Sequence, residues 1–228
     1  MEDGLSAMQP FPARGAIFDM DGLLLDTERI ACRAWQHAAD ELGVAIAESV
    51  VLGMVGMHSS KVDAYLTGEL GADFPVDDVR TTTHRHYLKL TKDPIPLKPG
   101  VLELFGWFRE RGVPIAVATS TRRSIAEHHL KAVGLWHYLA ASRCGDEIVH
   151  PKPAPDIYLA AAAELGVDAR ECFAFEDSNF GVKAAHSAGC RVVMVPDLRQ
   201  PDAHTQSLGI PVFDSLYDAL GWVRMQTA

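Results

Sequence analysis

The sequence predicts an α/β fold: a Rossmann-like parallel sheet core in three layers, α/β/α, with a small inserted all-helical cap. Three observations carry this expectation. Short, continuously apolar runs such as Ile115-Ala116-Val117-Ala118 read as strands buried on both faces. Most of these runs are followed by a polar or Gly-containing turn and then a helical pattern, and that alternation implies right-handed crossovers and a parallel sheet. One stretch near the start, from about Glu28 to Asp93, breaks the alternation and holds only helical patterns.

The elements follow in chain order. Residues 1–13 read as a loose tail with Glu2 and Asp3 and no long apolar run, so neither a signal peptide nor an anchor is expected there. Gly15–Phe18 is the first strand. Glu28–Leu42 is helical, because Ile30, Ala34, Trp35, Ala38 and Leu42 fall on one face and Gly43 suits the stop. Ser60–Leu70 and Asp77–Leu90 are helical too, which makes residues 28–93 a cap and residues 14–27 and 94–228 the core. Leu23–Thr27 leads out, and the proline-rich Lys92–Gly100 leads back as a stiff linker. Two linkers joining one core are the layout of a lid that opens and closes. Ile115–Ala118, Leu139–Ser142, Cys172–Phe175, Arg191–Val195 and Val212–Phe213 are the remaining strand-like runs. Asp214–Val223 is a closing helix with Leu216, Ala219, Leu220 and Val223 inward.

Composition limits the functions. The 228 residues are 48% hydrophobic, too apolar for a disordered chain and enough for a sizeable core. The net charge of −9 argues against nucleic acid or an anionic membrane as main partner. No stretch approaches the ~20 apolar residues of a membrane span. Cys32, Cys144, Cys172 and Cys190 show no CxxC and no zinc spacing, so reduced thiols in a cytoplasmic protein are expected. Nothing signals a dimer seam, and a monomer is expected.

Four clusters lie at or just after expected strand ends, where ligands bind in open α/β sheets. The first is Phe18-Asp19-Met20-Asp21-Gly22. Two carboxylates so close repel one another, but make sense around a divalent cation, which prefers hard oxygen ligands. A calcium loop does not fit, since Leu23 holds the third ligand position and Gly22 comes too early. An Asx-turn or a helix cap remains equally compatible with these residues alone. The second cluster is Ala118-Thr119-Ser120-Thr121, whose hydroxyls and amides before a helix make either an anion site or an N-cap. The third, His150–Asp156, aims Lys152 between prolines, where it can neutralise a carboxylate and a phosphoryl group or remain a solvated loop lysine. The fourth, Phe175-Glu176-Asp177-Ser178-Asn179, supplies acids that are either further metal ligands or partners of a helix dipole.

Taken together and in this order, the clusters resemble the four motifs of the haloacid dehalogenase superfamily. FDMDGLLLDTE resembles the first, VATS the second, HPKPAPD the third and FEDSNFGVKAAHSAG the fourth, over Gly15 to Pro196. The inserted helices resemble the small cap between the first two motifs, and the likeness is strongest to the β-phosphoglucomutase-like branch with its metabolite phosphatases. The resemblance implies Asp19 as the nucleophile that becomes phosphoaspartate and as a magnesium ligand. It implies Asp21 as general acid/base with its carbonyl on the metal. Thr119, the Ser120 amide and Gly22 would meet the phosphoryl group, and Lys152 would bridge it to Asp19. Asp177 would bind Mg2+ directly, and Glu176 through water. In the cap, His58 and Ser59 would touch substrate.

The same resemblance separates phosphatase from mutase. Ser59 stands where the mutase loop has Arg, Val55 where it has Lys, and Ala31 where the first cap helix has His. Losing two cations and a His weakens any grip on a second phosphate, because Ser does not replace a bidentate Arg. The expectation is therefore a magnesium-dependent phosphatase of a small phosphorylated metabolite, with a sugar-phosphate mutase as the alternative. A non-catalytic, metal-binding regulatory domain is the third reading; such receivers lack an inserted cap.

Overall fold

The computed structural model describes residues 11–57 and 59–227. From Arg14 onward the chain enters β1 (Gly15–Phe18) and then leaves the sheet for four helices: α1 (Thr27–Leu42), α2 (Glu48–Gly53), α3 (Ser59–Leu70) and α4 (Val76–Leu90). It returns through α5 (Val101–Glu110), β2 (Ile115–Ala118), α6 (Arg123–Ala132) and β3 (Leu139–Arg143). Then come α7 (Asp156–Leu165), β4 (Cys172–Glu176), α8 (Asn179–Ser187), β5 (Arg191–Met194), α9 (Ala203–Ser207) and α10 (Leu216–Gln226). The five strands form one sheet in the order β3-β2-β1-β4-β5, and every pairing is parallel.

Strand alternation sorts the core into two unlike faces. Ala16, Phe18, Val117, Phe173 and Phe175 point to one side, where Leu104, Phe105 and Phe108 of α5 and Leu220 and Val223 of α10 cover them. Phe18 stacks on Phe175 with ring centroids 4.6 Å apart and packs on Phe105 at 4.7 Å. Ile17, Ala116, Ala118 and Ala174 point the other way, against Ile157, Tyr158, Ala161 and Ala162 of α7 and Val182 and Ala185 of α8. Large rings fill one layer, and small alanines let α7 lie close in the other. The three layers that continuous apolar strands demand are therefore present.

The inserted helices carry a hydrophobic cluster of their own. Val50, Val51, Met54 and Leu66 are buried, with Trp35, Val62 and Tyr65 packed around them. No helix among the described residues is long and apolar enough to cross a membrane.

Some boundaries differ from those read in the sequence. Val212–Phe213 is not a sixth strand: Val212 makes only an isolated parallel bridge to Met194, and two residues are too few to sustain a ladder. Helix α2 was not anticipated, since six residues are too short to display a period. Within the stretch expected as a loose tail, Phe11 donates its N–H to the Gln226 carbonyl at 2.7 Å and packs edge-on against Phe173.

Candidate active site

The strand register aligns the carboxyl ends of the three inner strands. Phe18 lies beside Val117 on one side and Phe175 on the other, so the residues that follow β1, β2 and β4 emerge at one rim. The sheet order reverses direction about β1, which is where an open α/β sheet offers a crevice. The Asp19 N–H still bonds the Phe175 carbonyl at 3.0 Å, holding the first carboxylate in register with the fourth cluster. The third cluster joins them from the loop ahead of α7.

Lys152 is the hub of this rim. Its buried Nζ donates to Asp19 Oδ1 at 2.5 Å, to Glu176 Oε1 at 2.6 Å and to the Ala118 carbonyl at 3.0 Å. Glu176 is held on both oxygens. Oε1 also accepts from the Tyr158 hydroxyl at 2.5 Å, and Oε2 accepts from the Ser178 hydroxyl at 3.1 Å. Asp21 Oδ2 accepts from Thr119 Oγ1 at 2.9 Å and from Thr121 Oγ1 at 2.8 Å. The Thr121 N–H in turn bonds Thr119 Oγ1 at 3.0 Å, so one hydroxyl both caps the turn and grips the acid.

Gly22 has a positive φ of 83°, and a Cβ there would stand 2.4 Å from Asp177 Oδ2. The close turn after β1 is thus open only to glycine. Its N–H bonds the Leu25 carbonyl at 2.9 Å, so this amide is engaged in the turn. Ser120 is half-buried at the end of β2, with Gly145 packed close against its carbonyl. Of the two cap residues expected to meet substrate, His58 lies outside the described residues. Ser59 opens α3, and its side chain is likewise outside them.

The rim carries more negative charge than it can balance alone. Asp19, Glu176 and Asp177 are all buried, and each presents a carboxylate oxygen within 4.8 Å of the others. Burial, with Glu176 and Asp21 adding repulsion against the pull of Lys152, pushes the Asp19 carboxyl up to about 7. Burial beside Asp19 and Glu176 pushes Asp177 well above the usual carboxylate range. Burial alone lowers the Lys152 ammonium, but Asp19 and Glu176 outweigh it, and Lys152 stays charged. Three hard oxygen donors, short of one counter-charge, suit a divalent cation.

Three groups at this rim carried no individual role in the sequence reading. Thr121 belongs to the run Ala118–Thr121, where a third hydroxyl reads as a cap. Tyr158 lies in an apolar helix and reads as core. Glu28 reads only as the first residue of the helix Glu28–Leu42. It is half-buried, accepts from the Gly56 N–H at 3.4 Å, and is pushed up to about 8 by burial and by Asp21.

A parallel, doubly wound core with an acid-and-lysine cluster at its switch point, facing an inserted helical module, defines a hydrolase of the haloacid dehalogenase kind. The chain belongs to the haloacid dehalogenase-like hydrolase family, whose match spans residues 16–195. The fructose-1-phosphate phosphatase YqaB of Escherichia coli is 34% identical over 79% of this chain and 95% of its own. A probable pseudouridine-5'-phosphatase of Drosophila melanogaster is 32% identical over 89% of each. Among solved structures, CbbY from Rhodobacter sphaeroides in complex with phosphate superposes with a TM-score of 0.73 at 28% identity, covering 90% of this chain and 96% of that one.

Proposed function

We propose that this protein is a magnesium-dependent phosphatase of small phosphorylated metabolites, sugar phosphates foremost, acting through an aspartyl-phosphate on Asp19. The observation that carries the proposal is the 2.5 Å contact between Lys152 Nζ and Asp19 Oδ1 inside a buried acidic cluster. Lys152 pulls Asp19 toward its ionised form, a bound dication would pull it further, and an ionised carboxylate is a nucleophile that needs no proton removed. The fructose-1-phosphate phosphatase and the probable pseudouridine-5'-phosphatase among the relatives support the substrate class.

In this reading the Asp19 carboxylate attacks phosphorus, and the bond to the ester oxygen breaks. Asp21 gives that oxygen its proton. Water then attacks the phosphoaspartate, Asp21 takes the water proton, and the Asp19 oxygen is released. The hydroxyls of Thr119 and Thr121 fix one oxygen of Asp21 and leave the other to carry the proton. Lys152 spans nucleophile and phosphoryl oxygens, Ser120 offers its amide, and Glu176, braced by Tyr158 and Ser178, keeps Lys152 aimed. Asp19, Asp177 and the Asp21 carbonyl would hold Mg2+, with Glu176 reaching it through water. When bound, the ion neutralises charge on the transferring phosphoryl group, which is most of what this chemistry requires. Hydrolysis is favoured over mutase transfer because Val55 is buried and Ala31 carries no polar group.

The test is phosphate release from a panel of metabolite phosphates with Mg2+. Asp19→Asn is expected to lower kcat by more than about 1,000-fold. A variant that turns over at the wild-type rate would overturn the proposal. Interconversion of hexose phosphate isomers with no free phosphate would replace it with the mutase.

A further inference from the structure

We propose that Asp197 is a positioning residue that keeps the cap seated over the rim by tying both interdomain linkers to the core. The proposal deepens the phosphatase reading and rests on it for its kinetic arm. The two linkers run side by side. Leu25 and Leu97 form an antiparallel bridge, the Asp26 N–H bonds the Pro96 carbonyl at 3.1 Å, and the Lys98 N–H bonds the Leu24 carbonyl at 2.9 Å. Asp197 follows β5 in the core, and its side chain is only 1% exposed. Its Oδ1 accepts from Lys98 Nζ of the return linker at 2.7 Å and from Arg29 Nη1, in the first turn of α1, at 2.6 Å. Arg29 also reaches Asp26 Oδ1 at 2.8 Å. One core carboxylate therefore grips both the incoming and the outgoing chain.

The second oxygen of Asp197 is buried and accepts no hydrogen bond among the described residues. A buried, bare carboxylate oxygen is costly, so its retention beside a half-exposed arginine needs a reason. Arg29 moves with α1, whereas Lys98 lies at the core end of its linker. The reason lies in the seat: with Oδ2 unpartnered, Oδ1 alone serves Arg29 and Lys98 together, an arrangement that holds α1 at this angle over the core.

The loop carrying Asp197 also reaches the site and the cap. Asn179, at the start of α8, donates through Nδ2 to the Gln200 carbonyl at 3.1 Å and accepts from the Asp202 N–H at 2.8 Å. Arg199 donates to the Gly53 carbonyl at the end of α2 at 3.4 Å. The cap is seated in this arrangement: a Cβ on Gly56 would stand 2.8 Å from the Ser178 Cβ.

The experiment compares the full-length protein with Asp197→Asn and Arg29→Gln. Amide exchange at Asp26 and Lys98 is expected to accelerate at least about tenfold in each, with β1 and β4 unchanged. With Mg2+ and a sugar phosphate, KM is expected to rise about fivefold while kcat stays within about twofold, since fewer molecules present the seated cap. The double variant should show no more than the larger single effect. Unchanged exchange at the linkers would overturn the proposal. So would acceleration throughout the core, or a fall in kcat at constant KM, either of which marks a general structural role. If Asp197→Asn does not fold, Arg29→Gln carries the same measurements, because Arg29 is half-exposed. If the wild type hydrolyses no phosphomonoester, the phosphatase reading falls and the exchange data alone decide the latch.

Discussion

At the rim of the sheet, buried carboxylates gather about one lysine. In the facing cap, Val50, Val51, Met54 and Leu66 form a small apolar cluster. The two regions are stabilised by different physics. The cap gains from removing carbon from water, a gain that does not depend on pH. The rim spends some of that gain, taken from the phenylalanine layer beneath it, on holding like charges together. The contrast teaches where this molecule is rigid by packing and where it is poised by electrostatics.

The sharpest way to break the contrast is Lys152→Met. Removing the one ammonium leaves Asp19 and Glu176 facing each other without a counter-charge, and breaking a buried pair this way costs about 3–5 kcal/mol. Thermal unfolding should occur roughly 10 °C lower, taking about 2–4 °C per kcal/mol for a chain of this size. Phosphate release should fall together with it. An unchanged melting temperature would mean that the rim is not held by this cation.

Leu66→Ala tests the other region. Leu66 is wholly buried in the cap, and the truncation should cost about 2–5 kcal/mol. Amide exchange should speed up in α1 to α4 and stay slow in β1, β2 and β4. Equal acceleration in the core strands would show that the two clusters unfold as one.

The smallest effect expected is the pH response without metal. The Asp19 carboxyl titrates higher in the folded chain, at about 7, than its ordinary value of 3.8. A raised carboxyl binds more protons folded than unfolded, so the contribution of this group is full below pH 3.8 and is lost as pH rises through 7. In chelator, the melting temperature should fall over that window. Adding Mg2+ at pH 8 should restore it, because a ligand of the folded state stabilises by mass action. A flat profile in chelator would contradict the excess of negative charge.

Much of this was legible in the sequence, for identifiable reasons. The runs GAIF and IAVA gave their strands because burial on both faces leaves no polar positions to blur them. Asp19, Lys152, Glu176 and Asp177 stood out because each breaks the local pattern at a strand end or in a turn. Tyr158 did not, because a tyrosine among alanines of α7 looks like packing until its hydroxyl is found on Glu176. Thr121 was hidden by an equally good capping role. Asp197 lay beyond the motifs altogether, in a loop whose partners, Arg29 and Lys98, are remote in sequence and brought together only by the fold.

The placement of β1 at the middle of the sheet has a consequence for how the chain assembles. Ala16 must find Ile115 on one side and Phe173 on the other, so the first strand of this sheet in chain order is the one that waits longest for its neighbours. Such distant pairings slow folding and leave an apolar edge uncovered meanwhile. The inserted helices, whose contacts are nearer in the chain, can consolidate during that wait.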